Sequence, residues 1–133
     1  MRQIFLDTVG LIALWDSSDQ WHSSALIAIH QIITDRVETV TSDLILFECG
    51  NAAARKPYRG EVVSLRQDLI RAKGLVAATP IDIESAWNAY ERREAAGAGV
   101  VDQLSFVIMR RMGITEAFTN DEHDRAAGFV TLF

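Results

Sequence analysis

Gln3-Ile4-Phe5-Leu6-Asp7-Thr8 is the stretch on which the fold turns. Gln3–Leu6 reads as a short strand, and Val9–Trp15 at once takes a helical pattern. An acid, Asp7, stands at the junction. Trp21–Ile33 reads as a longer helix with apolar residues at Trp21, Ala25, Ile29 and Ile32. Glu38–Thr41 is a second strand, and Ser42 or Asp43 caps a helix that runs to Arg55. Pro57 breaks the pattern, and Gly60 introduces a polar-faced helix through Lys73, with Gly74 as its stop. Leu75–Thr79 is a third strand and Ile83–Ala95 a helix, followed by a flexible bend at Gly97-Ala98-Gly99. Val101–Met112 is a helix ended by Gly113, Thr115–Thr119 a fourth strand, and Phe129–Phe133 a last short one. Strands alternating with helices predict an α/β sandwich of three layers, with a central, mainly parallel sheet flanked by helices. At 133 residues, with no repeat or long linker, the chain is expected to form a single domain over 1–133.

Four acids stand where acids are costly. Asp7 ends Ile4-Phe5-Leu6, Glu48 lies inside Leu44-Ile45-Leu46-Phe47-Glu48-Cys49, Asp102 lies between Val100-Val101 and Leu104-Ser105-Phe106, and Asp121 closes Ala117-Phe118-Thr119-Asn120. An ionised carboxylate in apolar surroundings carries a large desolvation penalty unless it is paired or binds a metal. In open α/β sheets the working crevice lies off the carboxyl ends of the strands. Asp7 and Asp121 follow strands, and Glu48 and Asp102 sit on core-directed helix faces, so all four are expected to converge. Carboxylates without a His or Cys set of zinc spacing favour Mg²⁺, with Mn²⁺ as the alternative. Such a centre suits phosphodiester cleavage.

Bulk properties narrow the class. The net charge of −5 argues against general nucleic-acid binding, although 11 of the 13 basic residues are Arg and they cluster at Arg55-Lys56 with Arg59, Arg92-Arg93 and Arg110-Arg111. No apolar stretch approaches the roughly 20 residues of a membrane span. The first apolar run is too short for a signal-peptide core, so the expected location is cytoplasmic. The lone Cys49 rules out an intrachain disulfide and reads as a small buried hydrophobe.

Leu6-Asp7-Thr8, Thr41-Ser42-Asp43 followed by Phe47-Glu48, Val101-Asp102-Gln103-Leu104-Ser105-Phe106, Phe118-Thr119-Asn120-Asp121-Glu122-His123, and Gly128-Phe129 followed by Leu132 resemble, in order and spacing, the PIN-domain ribonucleases. Within that family the resemblance is to the VapC toxins of prokaryotic toxin–antitoxin pairs. It covers essentially the whole chain, more weakly from Pro57 to Ala98. It implies a metal-dependent endoribonuclease with RNA as substrate, held inactive by a VapB-like antitoxin that covers the groove, and usually a homodimer. It implies Asp7, Glu48 and Asp102 as the main metal-binding set, with Asp121 as a fourth ligand or acting through water. Thr8 and Thr119 resemble the family's small hydroxyl residues that orient ligands or water, and Ser105, one turn after Asp102, would support them. The chain departs from the family where Asp124 follows His123, a place often held by an aromatic residue, and at Gly97–Val101.

Each acid also has an ordinary reading. Asp7 suits a helix cap, Asp102 a helix N-terminal acid, and Asp121 a turn. Glu48 has no capping role, and Arg55 is two turns away. His123 reads as structural, and Trp15, Trp21 and Trp87 as core or interface. A haloacid-dehalogenase-like phosphatase would need an acid where Val9 stands. A receiver domain would need a lysine late in the chain, and the lysines are Lys56 and Lys73. Neither a P-loop nor a dinucleotide fingerprint is present. The alternative is a catalytically silent PIN-like module that binds RNA or protein.

Overall fold

The computed structural model describes residues 2–133. Its five strands are β1 (Gln3–Leu6), β2 (Glu38–Ser42), β3 (Leu75–Val76), β4 (Glu116–Phe118) and β5 (Val130–Thr131). They form one sheet in the order β3-β2-β1-β4-β5, and every neighbouring pair is parallel. The helices are α1 (Thr8–Trp15), α2 (His22–Thr34), α3 (Asp43–Ala53), α4 (Arg59–Ala72), α5 (Pro80–Glu91), α7 (Val100–Met112) and α8 (Glu122–Ala126), with α6 (Glu94–Gly97) a single turn of largely left-handed backbone. Successive strand residues point to opposite faces of a sheet. Ile4, Phe5 and Leu6 are all buried, so both faces of β1 are covered, as an all-parallel sheet requires. The expected layered α/β architecture is the observed one.

Strand order reverses beside β1. The chain adds β2 and β3 on one side, then returns to place β4 and β5 on the other. Leu6 stands opposite Phe118 in register. The ends of β1 and β4 therefore flank a topological switch point, the place where such sheets open a crevice. Thr41 on β2 donates its hydroxyl to the Leu6 carbonyl at 2.6 Å, which ties a third strand to the same edge.

Local chemistry explains where the elements begin and end, and several differ from the sequence expectation. Ser42, rather than Asp43, caps α3 by accepting from the Ile45 N–H at 3.3 Å. Trp21 does not continue the apolar face of α2; it precedes the helix and is exposed, as Trp87 is on α5. The left-handed residue closing α4 is Lys73, at φ 59°, not Gly74. Gly74 is needed for space, because a Cβ there would lie 2.5 Å from the Thr39 carbonyl of β2. The third strand shortens to Leu75–Val76 because Thr79 leaves it to cap α5 in a reciprocal box with Asp82, with Pro80 in the first turn. The helix expected to reach Ala95 stops at Glu91. Beyond it Arg93, Ala95 and Ala96 all have positive φ, which no right-handed helix accommodates. Gln103 braces this turn by donating to the carbonyls of Glu94 and Ala98. Helix α8 carries no strong apolar period in its five residues and was not expected from the sequence.

The core joins residues from Ile4 to Phe129 in one buried cluster, with Phe5, Phe106 and Phe118 among its largest members. Helix α1 lies against β4 so closely that a Cβ on Gly10 would meet the Phe118 carbonyl oxygen at 2.0 Å. Gly10→Ala should therefore lower the urea midpoint of unfolding, at a cost of about 1–3 kcal/mol for overpacking. Gly50 on α3 has nothing within 4 Å of a Cβ. Gly50→Ala should be neutral or stabilise by up to about 1 kcal/mol through helix propensity, and an equal loss from both substitutions would contradict this packing.

Candidate metal centre

Strand β1 delivers Asp7 directly. Its backbone N–H donates to the Phe118 carbonyl at 3.4 Å, and its side chain is 3% exposed. Asp7 occupies the cap position of α1, but its carboxylate makes no capping bond. It accepts instead from the Thr119 hydroxyl at 3.0 Å, across the β1–β4 seam. Thr119 also accepts from the Asp121 N–H at 3.2 Å, so one buried threonine positions both acids. Asp121 does serve as a cap, accepting from the His123 N–H at 2.9 Å, while its carboxylate reaches toward Asp7.

The tightest group contains an acid that the motif reading passed over. Asp7, Asp121 and Asp124 each place a carboxylate oxygen within 4.8 Å of the others. Asp124 is buried, and among the described residues its Oδ1 has no hydrogen-bond partner. The sequence did carry a signal, since Asp124 stands where an aromatic residue was expected. Sequence alone gave no way to see that this position turns inward, because α8 was itself unexpected.

Asp102 and Glu48 lie outside that group but within its field. Burial pushes Asp102 up to about 6, with the charges of Asp121 and Glu48 adding to it. Burial and then Asp102 push Asp7 up to about 7, against the lowering effect of the Thr119 hydrogen bond. Burial and then the charges of Asp7, Asp102 and Asp121 push Asp124 up to about 8. Glu48 is half-buried on α3 and accepts a hydrogen bond from the Thr8 hydroxyl. Among the described residues it makes no ion pair, to Arg55 or to any other cation. Ser105, one turn beyond Asp102 on α7, is buried, and its hydroxyl has no partner among the described residues. His123 contacts the Ala95 carbonyl through Nδ1 at 3.1 Å, a structural contact to the α6 turn.

The family model of the PIN domain matches residues 4–129 of the chain. The chain belongs to the PIN domain family. It is 29% identical over 131 residues to the 23S rRNA-specific endonuclease VapC20 of Mycobacterium tuberculosis, covering 97% of each chain, in both strains CDC 1551 and H37Rv. It is also similar to the crystal structure of M. tuberculosis VapC20, described as a sarcin-ricin loop cleaving toxin, with a TM-score of 0.75, 27% identity and 96% of each chain covered.

PIN nucleases use a divalent metal, and the donor set here fits a hard one: it is all carboxylate oxygen, with one buried oxygen lacking any partner. Among the described residues the group contains no His or Cys. Cys49 is buried beside it, and burial pushes its thiol up to about 12, which makes it an inert packing residue. Two of the arginine clusters serve the fold. Arg111 makes two hydrogen bonds to the buried Asp82, at 3.0 and 2.7 Å, and Arg110 lies over the Phe129 ring. Arg92 pairs with Glu94. Arg55 and Lys56, past the end of the helix that carries Glu48, make no ion pair among the described residues. No helix among the described residues is long and apolar enough to cross a membrane.

The raised carboxyl groups set a pH dependence. Folded Asp7, Asp102 and Asp124 hold protons up to about 7, 6 and 8, whereas the ordinary value is 3.8. Between these limits the folded state binds more protons than the unfolded state, so unfolding free energy falls as pH rises. The melting temperature of the metal-free PIN domain should drop between pH 5 and pH 8.5, and excess Mg²⁺ or Mn²⁺ should flatten that slope. A flat metal-free profile in calorimetry would contradict the shared burial of these acids.

Proposed function

We propose that the chain is a metal-dependent endoribonuclease, the toxin of a toxin–antitoxin pair, hydrolysing RNA phosphodiester bonds with a carboxylate-held Mg²⁺ or Mn²⁺. The observation that supports this reading is the grouping of Asp7 and Asp121 carboxylate oxygens within 4.8 Å beyond the ends of β1 and β4, with Asp102 near enough for its charge to raise Asp7 and Glu48 near enough to raise Asp102. Full-length similarity to VapC20 supports it. In this reading Asp7, Glu48, Asp102 and Asp121 are the metal-holding and catalytic set. A bound Mg²⁺ or Mn²⁺ supplies Lewis-acid chemistry, offsetting charge on the scissile phosphate and acidifying a water.

The chain's own residues prepare the site. Thr119 fixes the Asp7 carboxylate and the Asp121 backbone, and Thr8 fixes Glu48. Ser105 has a free hydroxyl for a ligand or water beside Asp102. Four clustered carboxylates repel a phosphate backbone, so the substrate must meet the site with its cation in place. The name of the relative makes 23S rRNA, at its sarcin-ricin loop, the first substrate to try.

One domain over 1–133 acts in the cytoplasm and is silenced by a VapB-like antitoxin. Phe47, 69% exposed beside Glu48, supports a protein partner at the groove. Ile27 and Ile33, 73% and 68% exposed on α2, support a homodimer.

Purified protein should cleave RNA containing that loop in Mg²⁺ or Mn²⁺. Asp7→Asn and Asp102→Asn should lose more activity than the roughly 100-fold ceiling typical of an outer-shell change, and Thr119→Val roughly 10–100-fold. Expression of the wild type should arrest growth, and the two Asn variants should be harmless. An RNA that stays intact, together with no heat of metal binding, would return the chain to the silent-module alternative.

A further inference from the structure

Asp82 and Asp124 are the same residue type, each 2% exposed, and the contrast between them is informative. Asp82 is fully satisfied: it takes two hydrogen bonds from Arg111 and one from the Thr79 N–H. Among the described residues Asp124 has no ion pair, and its Oδ1 has no hydrogen-bond partner. The cations nearby in sequence are engaged elsewhere. Arg125 donates to Thr131 and the Phe133 carbonyl, Arg110 to the Ala127 carbonyl, and the His123 ring contacts the Ala95 carbonyl.

Asp124 also lacks the usual duty of its position. As the third residue of α8 it could close a capping box by accepting from the N–H of the cap residue, Asp121. That N–H is already taken by the Thr119 hydroxyl. A buried acid with neither cation nor capping bond has an unmet electrostatic need. One of its carboxylate oxygens lies within 4.8 Å of carboxylate oxygens of Asp7 and Asp121. Two oxygens on one Mg²⁺, each at about 2.1 Å, lie about 3–4 Å apart, so small side-chain rotations suffice.

We propose that Asp124 is a direct ligand of the divalent cation, shared with Asp7 and Asp121. The proposal rests on the metal-centre reading above and adds a fifth carboxylate to it.

The test is Mn²⁺ titration by calorimetry, with melting curves with and without Mn²⁺, on wild type, Asp124→Asn, Asp124→Ala, Asp7→Asn and Asp82→Asn. Both Asp124 variants should bind Mn²⁺ at least about tenfold more weakly and lose most of the Mn²⁺-dependent rise in melting temperature. Their metal-free melting temperatures should hold or rise, since an unpaired buried acid has been removed, whereas Asp82→Asn should melt lower. Wild-type Mn²⁺ affinity in either folded Asp124 variant would overturn the proposal. So would a metal-free destabilisation of both as large as that of Asp82→Asn, which would mark Asp124 as a structural acid. Asp7→Asn separates the two readings: if it too binds Mn²⁺ normally, the metal centre itself is wrong, and if it alone loses the ion, only the role of Asp124 falls.

Discussion

Parallel pairing of β1 with β4 brings Leu6 opposite Phe118, and with it joins Asp7 to Thr119 across 112 positions of chain. The site depends on that seam. Thr119 reaches Asp7 only because the two strands end level, and the same threonine holds the Asp121 backbone. The seam also explains Gly10, since α1 leaves β1 immediately after Asp7 and must cross the Phe118 carbonyl. The crevice follows from topology, because the chain turns one way from β1 and the other way from β4.

The electrostatics of that crevice run against stability. Burial raises Asp7, Asp102 and Asp124; the charge of Asp102 adds to the rise of Asp7, and the charges of Asp7 and Asp102 add to that of Asp124. Elsewhere the same fold shows what a stabilising buried acid looks like, in Asp82 with its Arg111 and Thr79 partners. The contrast sets a fully paired buried acid, Asp82, against Asp124, whose Oδ1 has no hydrogen-bond partner among the described residues. It also shows that basic residues here mostly serve packing. Arg111 and Arg110 tie α7 to α5 and to the chain's last turn, so their pairing in sequence is not a phosphate-binding stripe.

Much of the architecture was legible. The strands at Gln3–Leu6 and Glu38–Ser42 and the helix ending at Gly113 fell close to their expected bounds, because apolar period and capping chemistry are local properties. The break after Glu91 was not legible. Arg93, Ala95 and Ala96 carry no turn signature, and their left-handed backbone is sustained by Gln103 and by contact with α8. Gly74 marked a helix stop correctly but for a different reason, the proximity of β2.

The sequence by itself determined the alternation of strands and helices, and it named Asp7, Glu48, Asp102 and Asp121 as all-oxygen candidates, because period and residue chemistry need no distant contact. Tertiary structure alone decided which carboxylates come closest. It set Asp121 and Asp124 against Asp7 and left Asp102 and Glu48, the latter held by Thr8, outside that group. That choice depends on strand order and on where a five-residue helix turns its side chains, and neither is written in any local pattern of residues.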